Sequence, residues 1–348
     1  MNLIGEHTDY SGGYVLPLAI PQQTEVQLAT RSDEAVRAWS APGSALEPIS
    51  YQLGDEAPHQ AWPDYVQGVT RTLRTEGYPI RGFDLRIESS VPVGSGLASS
   101  AALEVGLLRA LRAAFSLELD DVQLALLAHR AETDFVGAPV GIMDQMACSL
   151  AEERTALFLD TRSLAMERVP IPSGVEIVVL DTGVSHRHAS GQYGVRRAEC
   201  ERAAALLGVG QLRDLDESDL PRLEELPEPW RRRARHVITE NARVLAAVEA
   251  MRSERLDELG QLLFASHDSL REDFEVSIPE LDLLVYLAEE HTDVYGARMT
   301  GGGFGGAVIA LAHTGTGARV AESIVSDYRE RAGRSPRVLL PRLSASPA

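Results

Sequence analysis

The stretch Pro92-Val93-Gly94-Ser95-Gly96-Leu97-Ala98-Ser99-Ser100-Ala101 decides how the rest of the chain is read. It is entered from residues 83–87, which alternate apolar and polar side chains as a half-buried strand does, and it leaves into residues 101–114, a helical run with one glycine (Gly106) and no proline. Small residues between a strand and a helix let the backbone close on an anion, and the helix N-terminus aims its unpaired N–H groups the same way. Ser99 and Ser100 add hydroxyls, one of which can ligate a metal ion. On residue types alone the stretch could also be a serine N-cap after a glycine turn. The strand–turn–helix context favours the anion site.

Upstream, residues 14–20 and 24–30 read as strands around Pro21, residues 41–58 as a loop, and 65–76 as a helix with Val66, Val69 and Leu73 on one face. Downstream, 122–135 and 141–150 read as helices. Pro170-Ile171-Pro172-Ser173-Gly174 interrupts the pattern and marks the expected boundary between domains 1–172 and 173–348. Residues 175–180 are apolar except for Glu176 and read as a largely buried strand. Helical spacing follows at 197–207, 230–251, 256–266 and 278–291, then a strand at 307–312, a helix at 318–332 and a short strand at 337–340. The class is α+β in two α/β domains, with no internal repeat.

A chain of 348 residues exceeds one ordinary core, which agrees with two domains. With 33 basic against 51 acidic residues, the formal charge of −18 repels nucleic-acid phosphate and anionic lipid, so neither is an expected partner. No residue is a lysine, so a Walker-type phosphate lysine is impossible. Any phosphate must be held by backbone N–H groups, a helix N-terminus, a metal or arginine. Cys148 and Cys200 are too few for a disulfide framework. No apolar stretch reaches membrane-span length and the N-terminus has no signal-peptide pattern, so a cytoplasmic location is expected.

Three further motifs carry chemistry. In Asn2-Leu3-Ile4-Gly5-Glu6-His7-Thr8-Asp9-Tyr10-Ser11-Gly12-Gly13, two acids, a histidine and a tyrosine sit beside glycines, a set able to bond several hydroxyls at once, though a polar turn before a strand has the same residue types. In Gly141-Ile142-Met143-Asp144-Gln145 a lone Asp in an apolar segment needs a partner or a function, and Glu132 lies 144 − 132 = 12 residues upstream. Residue types alone allow a cap or an ion pair there. Met299-Thr300-Gly301-Gly302-Gly303-Phe304-Gly305-Gly306 contains the GxGxxG spacing of a dinucleotide fold, but a strand rather than a helix follows. Five glycines in six positions exceed what a tight inter-strand turn needs and read as a loop that approaches a ligand held mainly by other segments. His186 and His188, two apart, lack a third ligand and read as a solvated loop. Arg231, Arg232 and Arg233 read as a helix face paired with Glu224, Glu225 or Glu228.

Together these segments resemble the galactokinases, a branch of the GHMP kinases. NLIGEHTDY followed by GGYVLPLAIP is similar to the signature of that branch, and PVGSGLASSAALEVG to the GHMP phosphate loop. GIMDQ, SGQYGVRRAEC, RARHVITEN, SLREDFEVSIPELD and MTGGGFGGAVIAL resemble further galactokinase segments in the same order, so the likeness spans essentially the whole chain. The resemblance implies a GHMP-kinase fold with the active site in the cleft between two domains. It implies ATP- and Mg²⁺-dependent phosphorylation of the anomeric hydroxyl of galactose by a monomer. Glu6, His7, Asp9, Gly141 and Tyr193 match residues that contact sugar hydroxyls, and Asp144 the catalytic aspartate. Gly94, Ser95, Gly96, Leu97, Ala98 and Ser99 match the triphosphate cradle, and Ser100 and Glu132 the Mg²⁺ ligands.

One departure stands out. The family pattern runs Gly-Arg-Val before Asn2, whereas this sequence opens at Met1-Asn2, without the arginine that would lie beside the catalytic aspartate. A start codon assigned inside a longer reading frame is the expected cause. Competing readings are another sugar-1-kinase, a sugar sensor without turnover, which the missing arginine would favour, and a dinucleotide-binding oxidoreductase, which the context of Gly301–Gly306 disfavours.

Overall fold

The computed structural model describes residues 1–41, 48–184 and 189–340. Along the chain run a 3₁₀ turn (Asp9–Ser11), β1 (Tyr14–Val15), β2 (Thr24–Thr30), β3 (Ala35–Ala41), β4 (Ile49–Gln52), α1 (Pro63–Thr75), β5 (Phe83–Ser89), α2 (Ser99–Phe115), and α3 (Asp121–Arg130), which widens into a π-helical segment (Ala131–Val136). Next come α4 (Met143–Leu150), β6 (Thr155–Asp160), β7 (Met166–Pro170), β8 (Val175–Asp181) and α5 (Ala189–Leu207). Two short 3₁₀ segments lead into α6 (Trp230–Arg252), α7 (Leu256–Glu272), α8 (Pro279–Glu289), β9 (Val294–Thr300), β10 (Ala307–His313), α9 (Gly317–Ala332) and β11 (Arg337–Leu340).

The chain divides into two compact units. The first comprises Ala19–Val93 and Ala98–Ala151. Its sheet has the order β2-β5-β3-β4, with β5 antiparallel to β2 and parallel to β3. The alternation in β5 turns Phe83, Leu85 and Ile87 inward, where they join Val66, Val69 and Leu73 of α1 and Leu107, Leu108 and Leu111 of α2 in one core. Asp120 starts α3 through a reciprocal capping box with Gln123, at 2.7 and 2.8 Å.

The second unit comprises Met1–Leu18, Gly94–Leu97 and the described residues from 152 onward. Its larger sheet has the order β11-β8-β10-β9, all antiparallel, and β10 is buried on both faces from Ala307 to Ala312. A smaller sheet, β1-β6-β7, returns the N-terminal segment onto the chain beyond residue 152. That pairing makes the partition discontinuous in sequence, so a boundary at residue 172 does not coincide with it, and the Pro170–Gly174 break lies inside this unit between β7 and β8.

Several sequence expectations change. Regular pairing over 14–20 is limited to Tyr14–Val15, followed by isolated bridges from Pro17 to Asn2 and from Leu18 to Ala156, because Pro17 has no N–H to donate. Residues 41–58 are not all loop, since Ile49–Gln52 pairs with β3. Arg231 and Arg232 do pair with Glu224 and Glu228, but Arg233 turns inward, 2% exposed, and bonds Glu199 and Glu275 at 2.7 and 2.6 Å. His186 and His188 lie outside the described residues. Both cysteines are free thiols. Among the described residues no helix is long and apolar enough to cross a membrane.

Candidate active site

The segment from Gly5 to Gly13 is a loop closed at its base by Leu3 N–H to Leu16 O and Leu16 N–H to Ile4 O, both 3.1 Å. Inside it, Gly13 N–H donates to Thr8 O at 2.9 Å, and Thr8 Oγ1 lies 2.9 and 2.7 Å from the carbonyls of Gly5 and Tyr14. Glu6 is buried, and its Oε1 accepts from Gly301 N–H at 2.8 Å, Thr300 Oγ1 at 3.2 Å and Arg298 Nη1 at 3.4 Å. His7 adopts a left-handed backbone, φ 62°. Its Nε2 lies 3.2 Å from Gly302 O, which can only accept, so Nε2 carries the proton, and Nδ1 accepts from the Tyr10 hydroxyl at 3.0 Å. Burial, aided by the nearby cationic groups, pushes the His7 pKa down to about 3, so the ring is neutral.

Tyr193, half-buried on α5, has its ring 5.1 Å from His7 and 5.5 Å from Tyr10, and Phe274 lies 4.7 Å from His7. Thus Glu6, His7, Asp9 and Tyr193, separated by up to 187 positions, share one region. Asp9, half-buried, opens the 3₁₀ turn and accepts Tyr10 N–H at 3.0 Å. Phe274 was not singled out from sequence. An aromatic ring beside apolar neighbours looks the same whether it fills a core or lines a site.

The tip of the phosphate-loop motif, Gly94–Leu97, belongs to this same unit. Ser95 is buried, and its hydroxyl donates to Asp181 Oδ2 at 2.9 Å. Asp181, at the end of β8, also receives Arg337 Nη2 at 2.7 Å and Gly183 N–H at 3.0 Å. Nothing near Asp181 in sequence announces this role. Gly96 meets the final glycine stretch: a Cβ on Gly301 would stand 2.7 Å from the Cα of Gly96. Residues 301–306 form an inter-strand connection, joining β9 to its neighbour β10, with Thr300 opposite Ala307. The glycines answer to close protein backbone, at Gly96 and at Val184 O, 2.6 Å from a Cβ on Gly305.

The other unit holds the remaining groups. Helix α2 begins at Ser99 with Ala98, in the left-handed region at φ 61°, as its N-cap and with no side-chain cap. The serine-cap reading is thereby excluded, and the first-turn N–H groups are not taken up by a capping side chain. Glu132 lies in the π-helical segment, 4% exposed, and its Oε2 accepts Gln145 Nε2 at 2.6 Å. Burial raises its pKa to about 7; the Ser100 hydroxyl works against that rise, and the charge of Asp144 adds to it. Asp144 is half-buried in the first turn of α4, whose N-cap is Ile142, so it is not the cap. Gly141 is buried just ahead of α4. Glu104, fully buried, lies beside Glu132, and burial followed by the Glu132 charge pushes its carboxyl well above the usual range.

This set fits Mg²⁺. Ser100 and Glu132 offer hard oxygen donors, and burial penalises the charged form of Glu132, a penalty that a divalent cation would offset. Among the described residues no group of three His, Cys, Asp or Glu side chains is arranged around a metal. Mg²⁺ needs only one or two protein carboxylates when phosphate oxygens and water complete its shell.

Comparison with known proteins bears on the family and the fold. Residues 64–152 match the GHMP kinases N terminal domain, 247–330 the GHMP kinases C terminal domain, and 1–30 the galactokinase galactose-binding signature. The chain is 44% identical to the galactokinase of Streptomyces coelicolor, over 97% of this chain and 89% of that protein. It is 43% identical to the galactokinase of Chloroflexus aurantiacus, over 96% and 87%. The crystal structure of Lactococcus lactis galactokinase complexed with galactose superposes with a TM-score of 0.93 at 34% identity, covering 97% of this chain and 89% of that one. Methanococcus jannaschii mevalonate kinase, at 16% identity and a TM-score of 0.69 over 97% and 94% of the two chains, shares the fold. On these likenesses, carried through all of its motifs, the chain belongs to the galactokinase family of GHMP kinases.

Proposed function

We propose that this chain transfers the γ-phosphoryl group of ATP to the anomeric C1 hydroxyl of α-D-galactose, giving galactose 1-phosphate and ADP. The observation that carries this reading is the grouping of Ser100 at the start of α2 and Asp144 at the start of α4 about Glu132 of the π-helical segment, in a chain with no lysine to hold phosphate. Asp144 accepts the hydroxyl proton as the sugar oxygen bonds to phosphorus. Backbone N–H groups of Gly94 to Ser99 hold the triphosphate, and Ser100 and Glu132 hold Mg²⁺. Bound there, Mg²⁺ offsets charge on the transferring phosphoryl group. Glu6, His7, Asp9, Gly141 and Tyr193 take the sugar hydroxyls, with His7 acting as a neutral hydrogen-bonding group. The free thiols suit the cytoplasm, and the enzyme acts as a monomer.

The test is ADP release by the purified chain on addition of galactose, with stoichiometric galactose 1-phosphate. Asp144→Asn should lower kcat by about 10²–10⁴ while leaving galactose affinity nearly unchanged. No galactose-dependent ADP from the wild-type chain would refute the function, and an undiminished kcat in the variant would refute the assignment of Asp144.

A further inference from the structure

The segment RARHVITEN has no part in the chemistry above, yet it faces the first motif. His236, Glu240 and Asn241 lie on two successive turns of α6, with positions 236 and 240 one above the other on the same face. His236 Nε2 lies 3.1 Å from Glu6 O, an acceptor only, so the ring donates there, and Nδ1 lies 2.9 Å from Ser269 Oγ. Glu240 Oε1 accepts Gly5 N–H at 3.0 Å. Asn241 Oδ1 accepts Tyr14 N–H at 2.9 Å. Three side chains of one helix therefore hold three backbone groups at the two ends of the Gly5–Tyr14 loop.

The clamp is itself held rigid. Glu240 is fully buried and receives Ser266 Oγ at 2.6 Å and Arg243 Nε at 2.7 Å. Burial alone would raise its pKa, but the charges of Arg243 and Arg298 and the Ser266 hydroxyl outweigh it and hold the carboxylate ionised, at about 2. The His236 ring packs on Phe274, 4.5 Å between centroids, and Phe274 in turn packs on His7. A backbone amide bonded to a buried, fully ionised carboxylate is fixed more firmly than one bonded to water.

We infer that His236, Glu240 and Asn241 are positioning residues that pre-form the sugar-binding loop, so that galactose meets Glu6, His7 and Asp9 already in place. The inference rests on the reading of that loop as the galactose site. A pre-formed loop spares the sugar the ordering entropy it would otherwise have to overcome, so loosening the clamp weakens sugar binding and leaves nucleotide binding alone.

Two variants separate this from a general structural role. His236→Phe removes the donor to Glu6 O and keeps a ring against Phe274; Asn241→Leu removes the acceptor for Tyr14 N–H at similar volume. Each should raise the galactose Kd, measured by calorimetry, at least about tenfold, with an ATP Kd within twofold of wild type, whereas Asn241→Asp, which keeps the acceptor, should recover most of the sugar affinity. Hydrogen exchange on the wild-type chain provides a readout that needs no variant: the Gly5 and Tyr14 amides should be protected before galactose is added and gain little when it is. Amides that exchange freely until galactose arrives overturn the proposal. So do folded variants that bind galactose as tightly as wild type, or that lose ATP and galactose affinity in equal measure. If the wild-type chain binds no galactose at all, the functional reading falls and takes this inference with it; if it binds and phosphorylates galactose but the variants are silent, the inference falls alone.

Discussion

Replacing Gly301 by alanine should damage nucleotide use out of proportion to its effect on stability. Gly301 sits at φ +87°, where a side chain costs about 1–2 kcal/mol. Its new Cβ would stand 2.7 Å from the Cα and O of Gly96, and ordinary contact begins at 3.4 Å, so Gly96 must retreat by 3.4 − 2.7 = 0.7 Å. Gly96 lies in the phosphate-loop motif, one residue past Ser95, whose hydroxyl is tied to Asp181. The loop therefore cannot shift without straining that bond. Misplacement approaching 1 Å can cost on the order of a hundredfold in rate, so kcat/KM for ATP should fall by about tenfold to a hundredfold. Gly315→Ala is the control: it has nearly the same φ, +81°, and nothing within 4 Å of the new Cβ. Both variants carry the backbone strain and Gly301→Ala the clash as well, so it should melt somewhat lower than Gly315→Ala, and only Gly301→Ala should change the ATP kinetics in an initial-rate assay with galactose saturating. An ATP KM and kcat for Gly301→Ala equal to those of Gly315→Ala would show that the contact with Gly96 does not set the loop.

Three other outcomes follow from the same geometry. Asp9→Ala should raise KM for galactose, each unpaired hydroxyl being worth roughly 1–3 kcal/mol, and leave KM for ATP near wild type in steady-state kinetics. Burial holds His7 at about 3 and His236 at about 4, below the ordinary 6.5, so the unfolded chain takes up protons first as pH falls. Stability should therefore decline from about pH 6.5 downward, and urea titrations should show a shallower decline for His236→Phe. Glu132 has the opposite sense. Its pKa is raised from 4.5 to about 7, so the metal-free protein should lose stability as pH rises across that window. Glu132→Gln, neutral throughout, should melt higher than wild type at pH 8 without Mg²⁺ and converge with it near pH 4.5; a variant that melts lower at both values would show that the charge penalty is not felt.

What could be read from the sequence was whatever depends on neighbours along the chain. The period-two alternation at Phe83, Leu85 and Ile87 already specified an inward face, and the turn from Gly94 to Ser100 specified a strand–loop–helix passage, because both signals lie within a few residues. The helices were legible for the same reason. Strands β3, β4, β6, β7 and β9 were not, since their hydrogen-bonding partners are supplied by segments elsewhere in the chain. The candidate site divides along the same line. Residue types marked Glu6, His7, Asp9, Glu132 and Asp144 as candidates, with a polar turn, a cap or an ion pair still open, and the family resemblance supplied their expected roles. Only the tertiary structure decided that Glu6 Oε1 bonds Gly301 N–H, 295 positions away, that Ser95 bonds Asp181, and that the buried Glu240 holds Gly5. A carboxylate has the same sequence signature whether it faces water, a substrate or a distant amide. Burial and the arrival of a remote partner separate these cases, and both are consequences of the packed fold.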